Sequence, residues 1–201
     1  MNSTPGIIGY ERVTDKFIEA SQALDFYESN KQFLPFLPTT PSRVLDAGTG
    51  AGQNAATLAR LGHSLVAVEP MPAFLNAART TYTDLGITWF ADSLPLLKML
   101  GDAPNQFDFI LVQGVWHHLD EAEREQAMAR CSMLLDDGGV CAISLRNGPA
   151  GAGIHVFPTD GKQTATLAEQ HGLEVLLHLE NQPSIMKNKP DVIWAHMVFR
   201  K

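Results

Sequence analysis

Cysteine is nearly absent: Cys131 and Cys141 are the only two in 201 residues. That excludes a disulfide framework, and both lie in apolar stretches that read as sites for buried free thiols. No apolar run approaches the roughly 20 residues that a membrane-spanning helix needs. The opening MNSTPGIIGYER has no basic head followed by an apolar stretch, so no secretory leader is expected. Basic residues are few and scattered. Fifteen Lys and Arg against 22 Asp and Glu leave a formal net charge of -7. Such a surface repels polyanions, which argues against nucleic acid or an anionic membrane as partner. Internal repeats and low-complexity segments are missing as well, and no metal site is expected. What remains, 45% hydrophobic and 18% charged, is enough apolar material for one ordinary globular core. The expected setting is the cytoplasm.

The first forty residues form a polar, helix-prone lead-in. Phe17, Ala20, Leu24 and Tyr27 fall at helical spacing, and Pro35, Pro38 and Pro41 end the pattern. From residue 42 strands and helices alternate. Strands are expected at Arg43–Ala47, Leu65–Glu69, Thr88–Ala91, Phe107–Val112 and Val140–Arg146, with helices at 52–61, 71–83, 94–100 and 121–135. Short apolar strands such as FDFILV read as buried on both faces, as a parallel sheet covered by helices requires. Right-handed crossovers then dictate a doubly wound α/β sheet. After a Gly/Pro-rich loop, a helix near 160–171 and strands Leu173–Glu180 and Val192–Arg200 follow. Their short connection over 182–190 suits an antiparallel hairpin, because a parallel pair needs a longer crossover. The expected fold is therefore a seven-stranded, mostly parallel sheet with a C-terminal antiparallel hairpin. Residues 1–41 are expected to form a helical lid, and 42–201 the domain beneath it.

The strongest local signal is VLDAGTGAGQNAATLARLG at 44–62. A strand ends at Asp46, a glycine turn follows and a helix begins. Gly48, Gly50 and Gly52 remove side chains where the backbone curves tightly or approaches a ligand. The helix N-terminus then offers free N–H groups. A dinucleotide fingerprint needs glycine or alanine at its last position. Counting from Gly48 that position is Gln53; counting from Gly50 it is Ala55, which places the turn late relative to the strand. Asp46 at the strand lip suits a cationic ammonium better than a pyrophosphate. Glu69 ends the second strand, where an acid accepts two hydrogen bonds from a ribose diol; an exposed helix-capping acid is the alternative. Asp92 ends the third strand. It suits either an adenine amine, with Ser93 and Leu94 nearby, or a helix N-cap.

In these segments, together with FDFILVQGVWHHL and the turn LLDDGGVCAISL, the chain resembles the class I S-adenosylmethionine-dependent methyltransferases over roughly residues 42–146. The resemblance implies a Rossmann-like fold, S-adenosylmethionine as cofactor and methyl transfer to a small-molecule acceptor by in-line displacement. It also implies roles by position. Gly48, Thr49 and Gly50 would hold the methionine portion, with Asp46 near its amino group. Glu69 would clasp the ribose, Pro70 and Met71 would flank the adenine, and Asp92 and Ser93 would read its edge. Gln113 and Gly114 would line the sulfonium side. Tyr10 or Tyr27 could reach the cofactor from the lid.

His117 and His118 are the candidate general bases, for acceptors that must lose a proton; the alternative is that they cap a helix or pack beneath the cofactor. Trp116 is expected in the pocket wall, and His155 in the loop 147–158 is a further candidate. Ile154, Val156, Phe157 and Met186 suggest an apolar lining for the acceptor, whereas Arg146 suggests an acidic one. Two other functions fit parts of the pattern: a non-catalytic S-adenosylmethionine-binding partner or sensor, and an NAD-dependent oxidoreductase. The oxidoreductase lacks its clean fingerprint and a Tyr-Lys pair.

Overall fold

A computed structural model of the chain describes residues 5–186 and 188–201. Residues 1–4 of the expected lid and residue 187 of the expected hairpin connection lie outside that description. Seven strands, β1 (Arg43–Ala47), β2 (Ser64–Val68), β3 (Thr88–Phe90), β4 (Phe107–Val112), β5 (Leu135–Asn147), β6 (Glu174–Pro183) and β7 (Ile193–Arg200), form one sheet. The order across it is β3-β2-β1-β4-β5-β7-β6. The chain winds outward from β1 to β3, then returns to lay β4 against the other side of β1. That reversal opens a crevice at the carboxyl ends of β1 and β4, where ligands bind in open α/β sheets.

Helices cover both faces. On one, α5 (Glu121–Leu134) and α6 (Gly161–Gln170) bring Ala127, Met128, Cys131, Leu134 and Ala168 onto Ile110, Val112, Ile143 and Leu145. On the other, α3 (Gln53–Arg60) packs Ala55 and Leu58 with Phe26 and Phe33 against Val44, Phe109 and Val198. Remaining helices are α1 (Thr14–Gln22), α2 (Phe26–Ser29) and α4 (Pro72–Thr81). A capping box starts α5: Asp120 Oδ1 accepts from the Glu123 amide and Glu123 Oε2 from the Asp120 amide, at 2.8 and 2.9 Å.

Three local expectations are corrected. The lead-in is not one helix, because Asp25 Oδ1 accepts the Glu28 amide at 2.8 Å and restarts the chain as α2. The helix expected over 94–100 shrinks to a single turn at Lys98–Leu100. Pro95 has no N–H to contribute, and Leu97 sits at φ 46° in left-handed space. The helix expected to run to 135 ends at Leu134, and β5 starts there, carrying the turn around Gly138 within it. The C-terminal antiparallel hairpin is present as expected, formed by β6 and β7. Strand β7 slots between β5 and β6, pairing with both, so β6 is the edge.

Cys131 and Cys141 are free and buried, as expected of apolar positions. A hydrogen bond between the two thiols, with burial, holds Cys141 well above its ordinary range. No helix among the described residues is long and apolar enough to cross a membrane.

Candidate functional site

One cavity of about 350 Å³ opens at the carboxyl ends of the strands. The turn after β1 builds one wall. The Gly48 and Thr49 amides both donate to Val68 O, at 2.8 and 3.0 Å, which ties the turn to β2. Gly48 has φ 85° and a Cβ there would overlap the Val115 side chain; Gly50 has φ 57° and faces the open cavity toward Phe17. Only residues without a Cβ hold this path cheaply.

Glu69, just past β2, lines the cavity yet is only 6% exposed. Its Oε2 accepts the Gly50 amide at 2.9 Å and its Oε1 the Met71 amide at 2.8 Å. One carboxylate thereby joins the glycine turn to the start of α4. Burial pushes its pKa up to about 7, against the pull of the Met71 and Gly50 amides and with a further push from the Asp46 charge. Each oxygen keeps a further lone pair, and two adjacent acceptors are what the two hydroxyl donors of a vicinal diol need.

Of the other residues expected at the cofactor, Gly48, Thr49, Gly50, Pro70, Ser93, Gln113 and Gly114 all line the cavity. Gln113 donates to Ser29 O at 2.9 Å and accepts from Asn54 Nδ2 at 2.6 Å, joining the N-terminal segment to α3. The Gly114 amide donates to Ser144 Oγ at 2.8 Å. Asp46, Met71 and Asp92 do not line it. Asp46 turns back into the loop, where Oδ2 accepts the Thr49 hydroxyl at 2.6 Å. Burial raises its pKa to about 6, opposed by that hydroxyl and by the Ala55 amide. Met71 is buried and contributes its amide. The Asp92 carboxylate takes the Ser93 and Met99 amides at 2.8 and 2.7 Å, pinning the loop that replaces the expected helix.

His117 and His118 follow β4 and both line the cavity. His118 Nδ1 donates to the His155 carbonyl at 2.7 Å, so Nε2 is the acceptor for the Tyr10 hydroxyl at 3.2 Å. Burial, offset in part by that carbonyl, keeps the imidazole neutral by lowering its pKa. His117 has a buried Nδ1 without a partner, and burial pushes its pKa down to about 2. Tyr10 meets Phe17 and Phe74 edge-on, and those two rings stack at 4.6 Å. Its pKa rises to about 12, first through burial and then through the Glu69 charge. Tyr27, the other tyrosine considered, is exposed and away from the cavity.

Trp116 is not a wall: it is fully buried in the core, and Trp194 on β7 lines the cavity in its place. The loop 147–158 contributes Gly151, Ala152 and Gly153, while Ile154, His155, Val156 and Phe157 lie off the lining and Met186 lies on it. Phe74, Asn54, Lys189 and His196 were not singled out by sequence reasoning, and Phe17 was read only as part of a helical pattern. Only Asn54 carried a signal, its place beside the glycine turn.

Fold and site together define the architecture: a Rossmann-like α/β domain with its cavity at the carboxyl ends of the strands. Residues 44–139 match the family described as a methyltransferase domain. An uncharacterized methyltransferase of Mycobacterium tuberculosis is 29% identical over 123 residues, which are 58% of this chain and 48% of that one. The chain spans about half the length of the curated relatives it matches first. In fold it is similar to a TehB-like SAM-dependent methyltransferase from Corynebacterium glutamicum, with TM-score 0.66 and 22% identity, covering 93% of this chain and 96% of that one. It is also similar to 1,6-didemethyltoxoflavin-N1-methyltransferase from Burkholderia thailandensis, solved with 1,6-didemethyltoxoflavin and S-adenosylhomocysteine. That match has TM-score 0.68 and 19% identity, covering 97% and 84% of the two chains.

Proposed function

We propose that the protein is a cytoplasmic enzyme that transfers a methyl group from S-adenosylmethionine to a small-molecule acceptor by in-line displacement. The observation that carries this reading is the make-up of one cavity. Gly50, Glu69, Pro70, Ser93 and Gln113 line it from the matched segment, and residues outside that segment, from the N-terminus, β5 and the β6–β7 connection, complete the lining. The residues present fit the cofactor: a Cβ-free turn at Gly50, and a buried carboxylate with two oxygens already oriented by main-chain amides.

In this reading Gly48, Thr49 and Gly50 hold the methionine portion, Glu69 the ribose hydroxyls, and Pro70 and Ser93 the adenine. Asp46, Met71 and Asp92 act from behind, by holding the loops that carry these contacts. The cofactor, when bound, supplies a methyl group already activated on a sulfonium. The chain's own task is alignment and the exclusion of water. Tyr10, packed on Phe17 and Phe74, closes the cavity over the glycine turn. His118 is the proton acceptor of the histidine pair, because its tautomer is set by the His155 carbonyl and Nε2 faces a hydroxyl. His117, buried and held neutral by that burial, shapes the wall.

Calorimetric titration tests the reading. S-adenosylmethionine and S-adenosylhomocysteine are expected to bind and NAD is not. Glu69→Ala should lower affinity at least about tenfold, since hydrogen bonds to a charged group contribute roughly 1.5–3 kcal/mol. Binding of NAD alone would return the oxidoreductase. Binding of S-adenosylmethionine with no consumption against a broad metabolite pool would leave a sensor or partner protein.

A further inference from the structure

Arg146 lies near the end of β5 with its side chain in the cavity, and the residue is only 8% exposed. Its Nη2 donates to Pro149 O at 2.6 Å. Among the described residues no carboxylate forms an ion pair with it. A buried guanidinium without an anion is unusual, because the desolvation of the charge is left uncompensated. A second cation enters the same cavity, Lys189 from the β6–β7 connection, half-buried and equally without a carboxylate. Burial, and then the Arg146 charge, holds the Lys189 ammonium below its ordinary range. The two cavity carboxylates are occupied elsewhere, Glu69 with the glycine turn and Glu123 with the cap of α5.

Apolar side chains stand beside the pair, together with the polar Tyr10, His117 and His118, whose ionisation feels the Arg146 charge. Trp194 is the direct cross-strand partner of Arg146, so both side chains stand on one face of the sheet. Met186 and Ile185 line the cavity from the Lys189 connection. Strand order places Arg146 two strands from the glycine turn, with β4 between, which is on the order of 10 Å. The cavity thus has an anionic pole at Glu69 and a cationic pole at Arg146 and Lys189.

We propose that the cationic pole is a carboxylate subsite for the methyl acceptor, which is an apolar carboxylic acid. Arg146 and Lys189 take its two oxygens, and Trp194 and Met186 take the apolar body beside them. A guanidinium fork suits the planar carboxylate. The proposal rests on the methyltransferase reading and specifies its acceptor.

The test uses the whole chain saturated with S-adenosylhomocysteine, titrated calorimetrically with phenylacetate, indole-3-acetate and octanoate, and with the matching carboxamides. At least one acid should bind tenfold or more tightly than its amide. Arg146→Met and Lys189→Met should each remove most of that preference and leave affinity for S-adenosylhomocysteine within about twofold. Lys189→Met, in a connection at the surface, serves if the Arg146 variant does not fold. Equal binding of every acid and its amide overturns the proposal, and so does a preference that survives Lys189→Met. A tenfold loss of S-adenosylhomocysteine affinity in Arg146→Met overturns it too, by assigning the guanidinium to the cofactor's own carboxylate. Failure of the wild-type chain to bind S-adenosylhomocysteine removes the methyltransferase reading itself and this subsite with it.

Discussion

Glu69 concentrates the electrostatics of the site in one carboxyl group. Burial raises its pKa to about 7, so near neutrality it is partly protonated before any ligand arrives. Ribose hydroxyls donate to the ionised form and favour it, so binding releases the proton. Affinity for S-adenosylhomocysteine should therefore weaken as pH falls through about 7 and level off above it, while Glu69→Gln should flatten the profile. Titrations on either side of neutrality measure this, and a wild-type affinity indifferent to pH would take Glu69 out of ligand contact. The position of this acid at a strand end was legible from the sequence. Its bonds to the Gly50 and Met71 amides were not, and neither was the opposite turn of Asp46 into its own loop. A carboxylate goes where unpaired donors are, and the donors belong to a loop whose path the sequence does not spell out. The same limit applied to the histidine pair: His118 gained its tautomer from a carbonyl contributed by residue 155.

Among the elements, the turn after β1 is the most demanding. Gly48 combines φ 85° with a would-be Cβ that overlaps Val115. Gly48→Ala should destabilise the protein by at least about 1 kcal/mol from the left-handed backbone alone, with weaker S-adenosylhomocysteine binding as Val115 and the turn move apart. Urea denaturation and calorimetry measure the two effects. Adding Val115→Ala should recover part of the loss, and no change in either quantity would show that the turn is more pliant than its geometry implies. The turn was readable because strand, glycines and helix follow one another within twenty residues. The segment 94–100 misled for a related reason. Its leucines have helical spacing and Leu94 and Leu97 are indeed buried, but a proline and a left-handed residue let them reach the core from a loop pinned by Asp92.

At the scale of the whole molecule, the lead-in is more than a cover. Phe33 is fully buried in the core with Val44, Leu58 and Phe109, and its ring meets His196 of the cavity wall at 5.2 Å. Phe33→Ala should cost about 3–5 kcal/mol of stability, read as a lower denaturation midpoint. A loss below about 1 kcal/mol would mean that the segment is a detachable lid, as its sequence suggests.

By itself the sequence determined the class of fold, the glycine turn and the acids at the strand ends, because these rest on local pattern: short continuous apolar strands, period-3.6 helices and residues that lack a Cβ. Only the tertiary structure decided where β7 inserts, which carboxylates face the cavity, and that Arg146 and Lys189 both line it without an ion-paired carboxylate among the described residues. Those outcomes depend on competition among distant groups for hydrogen bonds and for space, and that competition is resolved only when the whole sheet has closed around its crevice.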